Sequence, residues 1–179
     1  ENPCVGIVFA TTPLDGDVAS NYGSEYTAIK GYVVALESAP TNTRLEFCAK
    51  GSDIDFTGME LNKTGYENTK AFFADERYTN NTDKYPVIEK YLAFKTNTPT
   101  PEKSSGWYIP SINQLKEMTI GYYGFEETAK NETFVNAINA IEGANLFVHT
   151  TTSARYLLSS SVSNKSISPI TLTNNVLDA

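Results

Sequence analysis

Two short apolar runs near the start of the chain open its hydrophobic pattern. Residues 5–10 and 31–36 consist mainly of Val, Ile, Ala and aromatic side chains, whereas residues 11–30 between them contain Pro, Gly, Asp and Ser. β-Branched and aromatic residues favour strands, and a short apolar run bounded by turn residues is typical of a buried strand. The pattern predicts two largely buried, neighbouring antiparallel strands joined by a surface loop.

Polar residues three positions apart mark two helix starts. Thr64 precedes Glu67, and Ser111 precedes Gln114. This is the spacing of a capping box, in which each side chain accepts a hydrogen bond from the backbone N–H of the other residue. Both boxes open helices with an apolar stripe, and the predicted inward residues are Tyr66, Thr69, Phe72 and Phe73 in the first helix and Ile112, Leu115, Met118 and Ile120 in the second.

Helices and strands are both predicted in the rest of the chain. Pro86 fits the first turn of a helix reaching about Phe94, because proline lacks an N–H that the first turn leaves unpaired anyway. Another helix is predicted over residues 131–142. Apolar runs predict four further strands, at residues 44–49, 145–150, 156–158 and 167–172, while the tail from residue 173 shows no clear element. This mixture predicts an α+β fold.

The single tryptophan lies in the segment that leads into the second capping box. Residues 104–106 form a turn of small residues, and Trp107, Tyr108, Ile109 and Pro110 follow. Pro110 has a fixed φ and no N–H, so it ends any strand at that point. A buried indole removes a large apolar area from water. We therefore interpret Trp107 as a packing anchor between turn and helix rather than a residue on which a ligand stacks.

Size and charge limit the classes of function. The chain has 179 residues, 40% of them hydrophobic, which predicts a single globular domain over residues 1–179. It carries 14 Lys and Arg against 21 Asp and Glu, so neither nucleic acid nor an anionic membrane surface is an expected partner. No apolar run approaches the roughly 18 residues that span a bilayer, and no membrane insertion is expected. The chain opens at Glu1, which we interpret as the start of a processed, exported protein.

The residue types that carry catalysis and metal binding are sparse. Cys4 and Cys48 predict either one disulfide in an oxidising compartment or two buried apolar side chains. His149 has no partner at ligand spacing. The acidic residues within 15–17 and 53–55 lack the additional oxygen ligands of a calcium loop. The scattered glutamates define no catalytic pair, so we expect no catalytic residue, no metal site and no cofactor.

Aromatic residues between glycines form the main candidate for a ligand-binding loop. Tyr122 and Tyr123 lie between two glycines within residues 121–125. Such a loop either offers flat aromatic faces to a ligand or caps the core beneath it. Arg155 and Tyr156 add a charged and an aromatic side chain just before a serine-rich turn. These four residues are the candidate ligand-binding residues of the sequence.

The order of these signals resembles a known family. The matching stretches are residues 6–9, 31–37, 65–69 and 158–161 and, as the specific element, Ser105-Gly106-Trp107-Tyr108-Ile109-Pro110-Ser111 with Gln114 and Leu115. On these residues the chain resembles bacterial domains of C-type-lectin-like fold related to the C-terminal domain of the Lcl adhesin. The resemblance implies a small twisted antiparallel sheet flanked by two main helices, with long loops on one side.

The same resemblance implies binding or adhesion without chemistry. Leu157 and Leu158 replace the tryptophan usual before the serine motif, and the calcium-binding Glu-Pro-Asn motif of animal C-type lectins is absent. The expected function is a non-enzymatic cell-surface module for a glycan or protein ligand. The alternative is a structural subunit of a fimbria-like or envelope assembly, whose strand-poor tail pairs with another chain. The expected location is the cell surface or periplasm, with a removed N-terminal segment as a candidate anchor.

Overall fold

Strands and helices both contribute to the structure, a computed structural model that describes residues 4–14, 16–36, 49, 64–100, 102–111, 114, 136–142, 154–156, 170–173 and 176–178. The elements in chain order are β1 (Gly6–Ala10), a 3₁₀ turn (Ala19–Asn21), β2 (Tyr32–Ala35), α1 (Gly65–Ala74), α2 (Glu76–Thr79), α3 (Pro86–Asn97), β3 (Ala154–Tyr156), β4 (Ile170–Thr173) and β5 (Val176–Asp178). Residues 136–139 are also helical. The predicted α+β class is thereby confirmed.

β1 and β2 form an antiparallel two-stranded sheet, as the two apolar runs predict. Val8 pairs with Val33, and after a bulge Ala10 pairs with Tyr32. The prediction of largely buried strands is wrong in part, because Val8 and Val33 are 52% and 47% exposed. Successive residues of a strand face opposite sides, so a sheet that packs on one side leaves alternate apolar residues in solvent.

α1 begins where the first capping box predicts. The Thr64 Oγ1 accepts from the Glu67 N–H at 3.2 Å, and the Glu67 carboxylate accepts from the Thr64 N–H at 3.5 Å. The residues predicted to face inward are buried or partly buried: Tyr66, Thr69, Phe72 and Phe73. The capped end and the apolar face of this helix are therefore both confirmed.

α2 and α3 complete the helical part of the core. α3 starts with Pro86 in its first turn, as predicted, and continues to Asn97, beyond its expected end. α2 is a single turn that the pattern did not reveal; the Asp75 carboxylate caps it by accepting from the Arg77 N–H at 2.9 Å. The buried cluster between the helices and the segment before residue 111 consists of Phe72, Tyr78, Tyr85, Val87, Ile88 and Ile109.

β3, β4 and β5 form a second antiparallel sheet in that order. Tyr156 pairs with Ile170, and Leu172 pairs with Leu177. β5 lies in the tail, so the expectation of a strand-poor tail is wrong. Only two residues separate β4 from β5, and a connection this short favours an antiparallel hairpin between the apolar stretches on either side.

Several predicted elements fall outside the described residues. They are the strands at 44–48 and 145–150, most of the helix at 111–120, and the loop at 121–125. In the helix predicted over 131–142, the described part is helical at 136–139, and Ile138 is fully buried. Among the helices that the structure describes, none combines the length and apolar character needed to cross a membrane.

Candidate functional site

The Trp107 segment, residues 104–111, is anchored on α3. The Trp107 Nε1 donates to the Thr98 carbonyl oxygen at 2.6 Å, and the indole meets the Phe94 ring edge-on at 5.8 Å between centroids. The Tyr91 hydroxyl donates to the Trp107 carbonyl oxygen at 2.6 Å. Trp107 is thus a packing anchor, as predicted, although its indole is partly rather than fully buried.

One hydroxyl of α1 binds the extended part of the Trp107 segment. The Thr69 Oγ1 accepts from the Ile109 N–H at 3.0 Å and donates to the Ile109 carbonyl oxygen at 3.3 Å. Both residues are buried. Buried backbone groups need a partner, and a hydroxyl is both donor and acceptor. Thr69 therefore supplies the pairing that a neighbouring strand supplies in a sheet.

The side-chain amide of Gln114 links two helix starts. Its Oε1 accepts from the Ser111 N–H at 3.0 Å and from the Gly65 N–H, the first residue of α1, at 3.1 Å. The Ser111 Oγ accepts from the Gln114 N–H at 3.3 Å, which confirms the second capping box. The Gln114 Nε2 donates to the Tyr108 hydroxyl at 3.1 Å. The amide thus accepts two hydrogen bonds and donates one, and the group is buried.

A buried carboxylate forms the second polar centre of the described fold. The Asp17 Oδ2 accepts from the Tyr22 and Tyr32 hydroxyls at 2.6 and 2.5 Å. The Asp17 Oδ1 accepts from the Asn21 Nδ2 at 3.2 Å, and the side chain is 7% exposed. A buried charge is tolerated only where hydrogen bonds replace its hydration. The donors come from β2 and from the connection between β1 and β2, which corrects the prediction that this connection is only a surface loop.

Tyrosine rings join the Asp17 centre to the Trp107 segment. Tyr22 packs on Tyr66 of α1 and on Tyr108, with centroid separations of 5.0 and 6.2 Å. Tyr66 and Tyr108 meet edge-on at 6.0 Å. Burial raises the pKa of Tyr108 to about 12. Burial, followed by repulsion from neighbouring groups and the hydrogen bond to Asp17, raises the pKa of Tyr22 above its ordinary value. Both hydroxyls therefore remain protonated at physiological pH.

The predicted ligand-binding residues are not brought together in the described structure. Tyr122 and Tyr123 lie outside the described residues. Arg155 and Tyr156 lie on β3, where they pair with Thr171 and Ile170 of β4. Tyr156 was itself predicted to begin a strand, and the observed strand β3 also includes Arg155.

The described residues contain no group of three or more His, Cys, Asp or Glu side chains able to hold a metal ion. Cys4 is a free, exposed cysteine whose Sγ donates to the Gly6 carbonyl oxygen at 3.4 Å, so it matches neither of the two predicted alternatives, a disulfide or a buried apolar side chain. Cys48, Asp53 and His149 lie outside the described residues.

Asp17 and Asn68 are buried polar residues that the sequence analysis missed. Asp17 was interpreted as a carboxylate in a surface loop. Its partners Tyr22 and Tyr32 are far apart in the sequence, and no sequence pattern links them to it. Asn68 is fully buried in α1, and its side-chain amide has no hydrogen-bond partner in the described structure. The only available signal was its place on the inward face, three positions after Gly65 and four before Phe72.

Comparison of the chain with protein-family models, with curated proteins and with solved structures gave no match. The proposals below therefore depend on the residues of this chain and on the geometry of its described part.

Proposed function

We propose that this chain is a non-enzymatic ligand-binding or adhesion module with a C-type-lectin-like fold, exported to the cell surface or periplasm. The observation that carries the proposal is the Trp107 segment. It contains the specific Gly-Trp-aromatic-Ile-Pro-Ser motif. Tyr91 of α3 donates a hydrogen bond to it, and Thr69 of α1 accepts one from it. A segment held this firmly is a suitable base for loops that contact a ligand.

The candidate binding residues remain Tyr122, Tyr123, Arg155 and Tyr156. Tyrosine supplies a flat contact face and one hydroxyl, and arginine supplies a planar charged fork, which suits hydroxyl-rich glycans and protein surfaces alike. The net charge of −7 favours a ligand that is neutral or basic over an anionic one. The ligand class proposed is therefore a neutral glycan or a protein surface without strong negative charge.

The proposal is tested on a glycan and protein-ligand array with the purified chain. For any hit, Tyr123→Ala and Tyr156→Ala are each expected to weaken binding by about tenfold or more, as removal of a central aromatic contact does. Leu92→Ala serves as the control, because Leu92 is an apolar residue on α3 that is 50% exposed and is not one of the four candidate residues. Circular dichroism of each variant checks that the fold is retained.

The proposal is abandoned if both tyrosine variants bind every hit as tightly as the unmodified chain. Equal losses in the Leu92→Ala control contradict it as well, because the effect then comes from the fold in general.

A structural subunit of a fimbria-like or envelope assembly is the second candidate. β5 is last in the strand order of the second sheet, so among the described strands it has one neighbour, β4. A strand edge without a neighbour offers backbone groups that a strand from another chain can pair with. Size-exclusion chromatography over a range of protein concentrations distinguishes the two candidates. A monomer with array hits supports the binding module, and concentration-dependent polymers without hits support the subunit.

A further inference from the structure

The first sheet consists of two strands, and β1 forms one of its edges. Within the part of the chain that the structure describes, β1 has a single neighbouring strand, β2. A two-stranded sheet is only marginally stable by itself, and an edge strand carries a row of backbone N–H and C=O groups that another strand can bind. The outward side of residues 6–8, called the β1 edge below, is therefore a candidate surface for strand pairing.

The hydrogen-bond pattern shows which backbone groups of β1 point away from β2. The Leu36 N–H donates to the Val5 carbonyl oxygen at 3.2 Å, and Val8 pairs with Val33 in the same register. Backbone groups of an antiparallel strand point alternately toward the neighbouring strand and away from it. Because Val5 points toward β2, Gly6 and Val8 point their N–H and C=O groups away from β2, onto the β1 edge.

The bonds around Gly6 and Val8 show that the β1 edge is open. The Gly6 carbonyl oxygen accepts from the Cys4 thiol at 3.4 Å, and a thiol is a weak donor. The Val8 side chain is 52% exposed, and its backbone N–H and C=O have no partner among the residues that the structure describes. Backbone groups that fold into a protein or an interface are nearly always paired, so these two remain available to another strand.

Charge distinguishes the β1 edge from the rest of the chain. Residues 2–14 contain no Asp, Glu, Lys or Arg and form the longest uncharged stretch of a chain with net charge −7. Soluble proteins protect edge strands with a charge or a proline, and β1 contains neither, whereas Lys30 and Glu37 closely flank β2. Two copies of an acidic chain repel one another where like charges meet, so they approach at the lowest electrostatic cost along β1.

We propose that a second copy of this chain pairs with the β1 edge, antiparallel and about a two-fold axis, so that the two sheets join into one sheet of four strands. The β1 edge is self-complementary, because each copy offers the same outward backbone groups and the same uncharged side chains. A two-fold contact closes on itself and gives a dimer, which distinguishes it from the concentration-dependent polymers expected of a structural subunit. The inference stands independently of the proposed ligand-binding function.

Sedimentation of the full chain at concentrations from about 1 μM to 1 mM tests the dimer. The unmodified chain is expected to shift from monomer to dimer by mass action and to form nothing larger. Val8→Pro removes an N–H that β2 does not use, and its ring obstructs the β1 edge. This variant is expected to raise the dissociation constant of the dimer by about tenfold or more, the scale of one or two lost hydrogen bonds.

Val33→Pro is the matched control for Val8→Pro. Val33 is the cross-strand partner of Val8 and is 47% exposed, and by the same alternation its N–H points to the opposite edge of the sheet. Its dimer is expected to dissociate at the concentration found for the unmodified chain. Circular dichroism of both variants checks that the fold is retained.

Val8→Lys provides a second variant should Val8→Pro fail to fold, because it leaves the backbone unchanged and places a charge on the β1 edge. It is expected to stay monomeric over the same range. Hydrogen exchange of the unmodified chain gives an independent readout. The Val8 amide is expected to gain protection as the concentration rises, while the Val33 amide stays unprotected.

Three results overturn the proposal. One is a chain that stays monomeric throughout the range, and another is a dimer that both Val8→Pro and Val8→Lys leave intact. The third is a Val8 amide already protected in the monomer, because the chain then covers its own edge.

Discussion

Gly65 occupies the point where the start of α1 meets the Trp107 segment. A Cβ on this residue would collide with the Ile109 carbonyl oxygen and would approach the Gln114 Oε1 to 2.6 Å and the Ser111 N to 2.7 Å. Real Cβ atoms do not come this close to backbone atoms. The absence of a side chain is therefore what allows the helix start to donate its N–H to Gln114.

Gly65→Ala is expected to lower the free energy of unfolding by about 2 kcal/mol or more, because the helix start and the Trp107 segment must separate. The sign of this change in the free energy of unfolding is informative, because Gly→Ala at an unhindered helix position raises that free energy by about 0.5–1 kcal/mol. Urea unfolding measures the difference. Lys70→Ala, on the exposed side of the same helix, is the control and should change stability by less than about 0.5 kcal/mol. A stabilised Gly65→Ala variant would show that the close packing is absent.

Within the described residues, the Trp107 segment is held by side chains from helices rather than by a neighbouring strand. Gly106 has a φ of 87°, a conformation that favours glycine, and so directs the chain into the extended part that Thr69 and Gln114 bind. The motif Gly-Trp-aromatic-Ile-Pro-Ser therefore has a physical meaning in this chain: each position serves the turn, the anchor or the helix start.

Thr69→Val tests whether the Thr69 hydroxyl holds the Trp107 segment against α1. Valine has the same shape but no hydroxyl, so the N–H and C=O of Ile109 lose their partner, and the free energy of unfolding is expected to fall by about 1–3 kcal/mol. Thr69→Ser keeps the hydroxyl and should lose less than half as much. Urea unfolding compares the two variants. Equal stability of Thr69→Val and the unmodified chain would contradict the role assigned to this hydroxyl.

The elements that the sequence predicted best are those with strictly local signals. The capping boxes at Thr64 and Ser111 and the first-turn proline of α3 were all confirmed, because each depends on residues within one helical turn. α2 was missed, since a helix of one turn has no periodic pattern to detect. β5 was missed because so short a segment is a strand only by virtue of its pairing with β4.

Buried tyrosines give the whole molecule a dependence on alkaline pH. Burial raises the pKa of Tyr91 and Tyr108 to about 12, and burial is also the main cause that raises the pKa of Tyr22 and Tyr32. An unfolded tyrosine titrates near pH 10. Above that pH the unfolded state loses protons that the folded state retains, so stability is fully present below pH about 10 and decreases as the pH rises toward the folded pKa.

Between pH about 10 and 12, each such tyrosine is expected to reduce the free energy of unfolding by as much as about 1.4 kcal/mol per pH unit. Urea unfolding at several pH values measures the slope of the free energy of unfolding against pH. Ultraviolet titration measures the fraction of tyrosines that ionise only above pH about 10. Tyr91→Phe removes one contributor and should make the slope shallower. An unchanged slope in Tyr91→Phe, or ionisation of every tyrosine near pH 10, would contradict the burial of these hydroxyls.

At the scale of the molecule, the candidate site was less predictable than the fold class. The α+β class follows from local patterns. The meeting of Asp17 with Tyr22 and Tyr32, and of Gln114 with Gly65, joins residues that are up to 49 positions apart, and no periodicity encodes such a contact. Tyr122 and Tyr123 stay predictions, whereas Arg155 and Tyr156 are shown to lie on a strand.

The sequence by itself determined where α1 and α3 begin, which face of α1 is apolar and where the Trp107 turn lies, because caps, prolines and apolar spacing act within a few residues along the chain. Only the tertiary structure decided that a loop aspartate is buried against two tyrosine hydroxyls and that one glutamine joins two helix starts. Those outcomes depend on which donors reach a group once water has been excluded, and that is set by packing between distant segments.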